Sequence, residues 1–168
     1  FFACVTLTVR MKPSVRSAIP SDVHAVVEMI HAYAGEVFSQ SATVTPEALL
    51  NDGFGVVLEF FVADLPNGEL AGFAAWEKTY DVVGGARGGV LLALYVRPEA
   101  RQQGIGQALL GAVTREVRAI GGSFLLGLDD QPLELSESAR ASLRVPRVQA
   151  NVVDQAAADL APAPKKEG

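Results

Sequence analysis

The sequence predicts a mixed α/β fold in one domain, with a mostly antiparallel sheet flanked by helices. Three observations lead to that class. Residues 56–64 and 70–80 are dense in Val, Phe and Trp, and Pro66-Asn67-Gly68 between them supplies a tight hairpin turn. Residues 90–96 are almost wholly apolar, as a strand covered on both faces must be. That strand runs through a glycine-bearing turn into a segment whose Leu109, Leu110, Val113, Val117 and Ile120 share one helical face.

Taken in order, Ser14 to Ala18 reads as a first short strand, and Pro20-Ser21-Asp22 offers capping oxygens to a helix with apolar Val23, Val26, Val27 and Ile30. Thr45 as cap and Pro46 at the first helical position predict a second short helix through Leu49 and Leu50, stopped at Asp52-Gly53. The two paired strands follow. Gly84-Gly85 to Gly88-Gly89 reads as a flexible connector to the central strand, Val90 to Val96. Gly121-Gly122 ends the long helix before a strand over Ser123 to Leu128, and strand, helix and strand make a βαβ unit. Beyond Asp130 the patterning fades. The expected organisation is a domain over residues 11–130, a divergent segment over 131–160 and a disordered tail over 161–168.

Composition narrows the function classes. A chain of 168 residues buries one ordinary core, and no apolar run approaches the roughly 18 residues of a membrane helix. The expectation is a soluble protein with no membrane partner. A net charge of −5 attracts neither nucleic acid nor anionic lipid and tilts toward a cationic small substrate. Cys4 is the sole cysteine and His24 and His31 the only histidines, so no disulfide within the chain and no metal site is expected, and a cytoplasmic setting suits. The ten residues before Met11 lack the pattern of a signal peptide, and Met11 reads as the start.

Chemistry concentrates in residues 94–107. A strand ending at Val96 that feeds through Arg101-Gln102-Gln103-Gly104-Ile105-Gly106 into a helix leaves backbone N–H groups unpaired at the helix start, where the dipole also favours an anion. Glycines there let a pyrophosphate approach those groups, and Arg101 adds a charge-assisted contact. The alternative is that the glycines only shape the turn. A dinucleotide fingerprint would need a third glycine where Leu109 stands.

Arg101-Gln102-Gln103-Gly104-Ile105-Gly106 resembles the coenzyme A signature of the GCN5-related N-acetyltransferases (GNAT), and Leu94-Tyr95-Val96-Arg97-Pro98 is similar to that family's strand-end segment. The resemblance covers roughly Pro13 to Leu128. It implies acetyl-CoA as co-substrate, with the pantetheine arm on Leu94, Tyr95 and Val96. The pyrophosphate then falls to Arg101, Gln102, Gln103, Gly104, Ile105, Gly106 and Gln107. Leu49-Leu50-Asn51-Asp52-Gly53-Phe54-Gly55, Gly72-Phe73-Ala74 and Thr79-Tyr80-Asp81 resemble segments of the diamine (spermidine/spermine) acetyltransferase branch. That narrower likeness implies N-acetylation of a small primary amine such as a polyamine, Glu36 and Asp81 as amine-binding residues, and a homodimer. The alternative reading of both carboxylates is solvated loop groups.

Two family features are replaced. Leu92-Ala93 stands where the branch places a Glu-Asp pair that helps deprotonate the amine, and no tyrosine follows Tyr95 to protonate the departing thiolate. Glu77, as a base acting through water, and Tyr80, as a proton donor, are the candidate catalytic residues; a solvent-facing strand charge and a rim tyrosine are their plainer readings. An acyl-CoA-binding protein without turnover is the alternative function. Asp129 to Pro132 resembles the start of the family's terminal segment, which Leu133 to Gly168 does not continue, as divergence or a shifted reading frame would produce.

Overall fold

The computed structural model describes residues 13–127. Five strands form one sheet in the order β1-β2-β3-β4-β5: β1 (Ser14–Ser17), β2 (Glu59–Asp64), β3 (Leu70–Asp81), β4 (Ala86–Val96) and β5 (Phe124–Gly127). The first three pairings are antiparallel and only β4 with β5 is parallel. A parallel pair needs a long crossover, supplied by helix α3 (Ile105–Ala119). Helix α1 (Val23–Phe38) and the three-residue α2 (Pro46–Ala48) connect β1 to β2. The predicted caps act as expected at α2, where Thr45 Oγ1 accepts from Ala48 N at 3.2 Å; the helix then widens into a π turn over Leu49–Gly53.

The sheet carries a core on each face. Trp76, Leu91 and Leu125 pack with Leu109, Val113 and Val117 of α3 on one side. Val26 and Met29 of α1 meet Phe60, Val62, Phe73 and Tyr95 on the other. The apolar run Val90 to Val96 of β4 is thus covered twice, as its composition requires, although β3 and not β4 is the middle strand of the five.

Two expected boundaries move. Val56 and Val57 are not strand; Gly53 O accepts from the N–H groups of Val56, Val57 and Leu58, a curled turn that leaves both valines exposed. Gly88 and Gly89 are not connector but strand, buried within β4. Added Cβ atoms would lie 2.4 Å from the Phe124 ring and 2.7 Å from Val117, so these glycines let β5 and α3 press onto β4. They read as flexible in sequence because close approach and flexibility select the same residue. Leu128 and the segments at 131–160 and 161–168, like Met11 and Cys4, lie outside the described residues.

A polar clasp joins β1 to the start of α1. The Arg16 guanidinium donates to both Asp22 oxygens, at 2.7 and 3.0 Å, and to both Asp64 oxygens, at 3.0 Å each. Asp22 also accepts from Ile19 N at 2.8 Å. The hydrogen bond from Arg16 pulls the Asp22 carboxyl below its ordinary 3.8, so its stabilising effect is complete above that pH and fades as pH falls below it. Asp22→Asn should therefore lower stability by about 1–3 kcal/mol at pH 7, with the gap to wild type closing below pH 4 in urea melts; a gap unchanged at pH 3 would contradict the clasp.

Candidate functional site

The site begins where, among the described residues, β4 loses its second neighbour. β5 pairs only with Gly88 to Leu91, while β3 continues to Val96. Between the partners Ala75↔Ala93 and Trp76↔Leu91, β4 holds one residue more than β3, so Leu92 forms a bulge. Arg97 N donates to Ala71 O at 2.8 Å, which by alternation turns the backbone of Val96 and Leu94 to the opposite edge. Among the described residues no strand pairs with that edge.

Next to it the chain folds tightly. A single 3-10 turn over Pro98–Ala100 leads to Gln102 at φ 61° and Gly104 at φ 80°, two left-handed residues within three positions. Gly104 caps α3 without a side chain to accept from its first turn, and the helical ladder starts at Ala108 N, 3.0 Å from Gly104 O. The N–H groups of Ile105 and Gly106 thus fall outside that ladder, at the positive end of a 15-residue helix. They border a cleft of about 450 Å³ whose floor is Leu94, Val96 and Leu110 and whose rim is Ala100, Arg101, Gln102, Gly104 and Gln107.

Gly106 tests whether the cleft suits a phosphate. Its backbone is helical and needs no glycine, and an added Cβ would meet only Val96 Cγ2, at 3.8 Å, an ordinary contact. Neither fold nor packing asks for a bare backbone there, and in a helix glycine is disfavoured relative to alanine. What a Cβ would fill is the cleft. The residues therefore fit a pyrophosphate seated on the first turn of α3.

Arg101 is the cation beside it. Its Nε donates to Val96 O at 2.9 Å, its Nη2 to Glu36 Oε2 at 2.7 Å, and its guanidinium lies 5.7 Å from the Tyr95 ring centroid. The hydrogen bond from Arg101 holds the Glu36 carboxyl below its usual range and raises the guanidinium in turn.

Residues 24–132 match the acetyltransferase (GNAT) family. The chain belongs to that family. It is an acyltransferase that uses acetyl-CoA as co-substrate. Solved structures share the fold: a ribosomal-protein-alanine N-acetyltransferase from Brucella melitensis biovar Abortus 2308 (20% identity, 94% of this chain and 97% of that one, TM-score 0.57). An aminoglycoside acetyltransferase from an uncultured soil metagenomic sample, in complex with sisomicin, gives 16% identity over 93% and 91% of the chains, TM-score 0.58. A transcriptional regulator from Bacillus halodurans C-125 gives 18% over 94% and 97%, TM-score 0.59. No curated protein matches the chain.

In this acetyltransferase most of the residues expected at the cofactor line one cleft: Leu94, Val96, Arg101, Gln102, Gly104, Ile105, Gly106 and Gln107. Tyr95 and Gln103 do not. The Tyr95 side chain is buried on the α1 face, and Gln103 turns its amide to Glu99 O, 3.5 Å away. Ala100 and Leu110 also line the cleft; Leu110, four residues after Gly106, was legible from helical spacing.

The acceptor and catalytic candidates are scattered. Glu36, in the last turn of α1, stands at the cofactor turn through Arg101. Asp81 lies opposite Ala86, eight residues or roughly 27 Å along β4 from Leu94, and its Oδ1 accepts from Val83 N and Gly84 N to close the hairpin. Tyr80, opposite Arg87, is 56% exposed and seven residues or roughly 24 Å from Leu94. Glu77 is nearer. It shares the α1 face with Ala75, the partner of Ala93, and sits two residues or roughly 7 Å beyond it. Among the described residues its carboxylate has no hydrogen bond or ion pair. Nor do those residues hold any group of three metal-ligating side chains, or a helix long and apolar enough to cross a membrane.

Gly106→Ala separates fold from function. It should stabilise the domain by about 0.5 kcal/mol while weakening acetyl-CoA binding about tenfold or more, read by thermal unfolding and calorimetric titration. Unchanged binding would mean that the glycine serves no cradle.

Proposed function

We propose that this acetyltransferase acts on a primary amine of a small cationic molecule, with a diamine or polyamine as acceptor. The observation that carries the reading is that the edge of β4 left open among the described residues, the two-glycine turn and the start of α3 converge on one cleft, and that Arg101 of its rim holds an acidic residue, Glu36, beside it. Val37 and Phe38, each 50% exposed beside it, offer apolar surface to the methylene body of such an amine. The net charge of −5 favours its approach.

Acetyl-CoA supplies the activated acetyl group: the neutral amine nitrogen bonds to the thioester carbonyl carbon, the carbon–sulfur bond breaks, and the departing sulfur takes up the proton that the nitrogen sheds on becoming an amide, leaving as the thiol of CoA. The chain's own part is positioning and charge. The backbone N–H groups of Leu94 and Val96 face the edge where a carbonyl gaining negative charge can be held. Glu77, on the α1 face beside Ala93, takes the ammonium proton through a water, in place of the glutamate that Leu92 displaces. Asp81 remains with its turn, and Tyr80 lies at the far end of the strand. A cytoplasmic homodimer, which the resemblance to the diamine branch implies, is part of the same proposal. Val82 and Val83, 85% and 94% exposed at the β3–β4 turn, are surface that a second copy would cover.

Thiol release from acetyl-CoA, followed across a panel of diamines, polyamines, aminoglycosides and alanine-terminated peptides, tests the reading. Release with the diamines is expected; tight acetyl-CoA binding with no release for any amine would make the chain a binding protein, as the apolar Leu92-Ala93 step favours. Glu77→Gln should cut kcat about 100-fold with KM for acetyl-CoA within about twofold of wild type. An unaltered kcat would return Glu77 to a solvent-facing strand charge.

A further inference from the structure

Glu36 and Arg101 are each half solvated, 46% and 41% exposed at the side chain, yet they meet at 2.7 Å across 65 residues of sequence. Each also has a second task in the site described above. Arg101 stands at the mouth of the anion cleft, and Glu36 is the carboxylate that the proposed function gives to the acceptor ammonium. In the ion pair each occupies the other's ligand position.

The placement of Glu36 sharpens this. It lies in the last turn of α1, which carries no basic residue and whose carbonyls present the negative end of the helix dipole. A carboxylate there is doubly short of positive charge and calls for a cation. Arg101 provides one, while its Nε stays on Val96 O and its guanidinium on the Tyr95 face. The Nε bond is thus a pivot about which the Nη2 end can turn without leaving the strand edge. Exposed ion pairs are weak and easily exchanged, whereas a pyrophosphate offers Arg101 more charge and more acceptor oxygens than one carboxylate does.

We propose that Glu36 serves as a stand-in for the cofactor's phosphates on Arg101, and that arrival of the cofactor moves Arg101 into the cleft and releases the Glu36 carboxylate to bind the acceptor ammonium. The second half rests on the amine-acetyltransferase reading above; the first half does not. The consequence is an order of binding: the acceptor site becomes anionic only once the cofactor is in place, and an amine arriving first meets a neutralised pair.

A double-mutant cycle on acetyl-CoA affinity tests the exchange, by calorimetric titration without turnover. Glu36→Gln removes the competitor and should tighten acetyl-CoA binding about threefold to tenfold; in an Arg101→Gln background the same substitution should change nothing. Glu36→Ala must reproduce both results, and far-UV circular dichroism confirms the fold of each variant. Equal tightening in both backgrounds would reveal only the loss of a nearby negative charge, and no tightening in the wild-type background would remove the competition; either overturns the exchange. In parallel, 1,4-diaminobutane should bind wild type at least tenfold tighter with CoA present than without, and Glu36→Gln should abolish that difference. An intact cycle with no diamine binding leaves the exchange standing and overturns the acceptor reading instead.

Discussion

Everything at the site depends on β4 having, among the described residues, two strand neighbours along its first half and one along its second. Over Gly88 to Leu91 it is clamped between β3 and β5, closely enough that Phe124 and Val117 occupy the space of two missing side chains. One bulged residue later no described strand pairs with that side, and the backbone of Leu94 and Val96 faces away from β3. A strand edge is ordinarily a liability because its polar groups invite another chain. Here that edge abuts the turn into α3, so its unspent donors and acceptors are gathered with those of the helix start in one concave place. The glycines at one end of the strand and the open edge at the other belong to one strand, paired with β3 along its whole length.

The sequence made the strand-turn-helix core legible because three periodic signals agreed: a run of apolar residues too continuous for a half-exposed strand, a glycine turn, and a helical stripe from Leu109 to Ile120. Local chemistry also placed the Thr45 cap and the Pro66-Asn67-Gly68 hairpin. The failures concern residues whose meaning is set by distant neighbours. Gly88 and Gly89 look like slack until Phe124 and Val117 are seen lying over them. Val56 and Val57 look like strand until Gly53 O draws their amides into a turn. The Leu92 bulge has no local mark at all, because it is a mismatch between two strands and not a property of either.

The same division runs through the site. The residues of the cofactor turn lie next to one another in sequence, and eight of the ten expected there line one cleft. The polar residues expected to work beside them come from separate elements, and their position along the sheet is a matter of register, which composition does not reveal. Register puts Asp81 and Tyr80 at the hairpin end, leaves Glu77 near Ala93, and lets α1 bring Glu36 back to Arg101. Glu36 and Asp81, which the resemblance treated alike, thus differ in what they do: Asp81 holds a turn and Glu36 holds a cation; Glu77 has no partner among the described residues.

Gly106 has a consequence for how such a chain responds to selection. The position gains conformational stability from any small side chain, and nothing in the fold opposes one. A search for heat resistance that ignores ligand would therefore favour filling it, and on the proposed seating of a phosphate there would quietly erase the cradle while the protein looked healthier by every measure of folding. Only selection in the presence of the phosphate-bearing ligand penalises the change, so tolerance at this single backbone atom distinguishes chains kept for their shape from chains kept for what they hold.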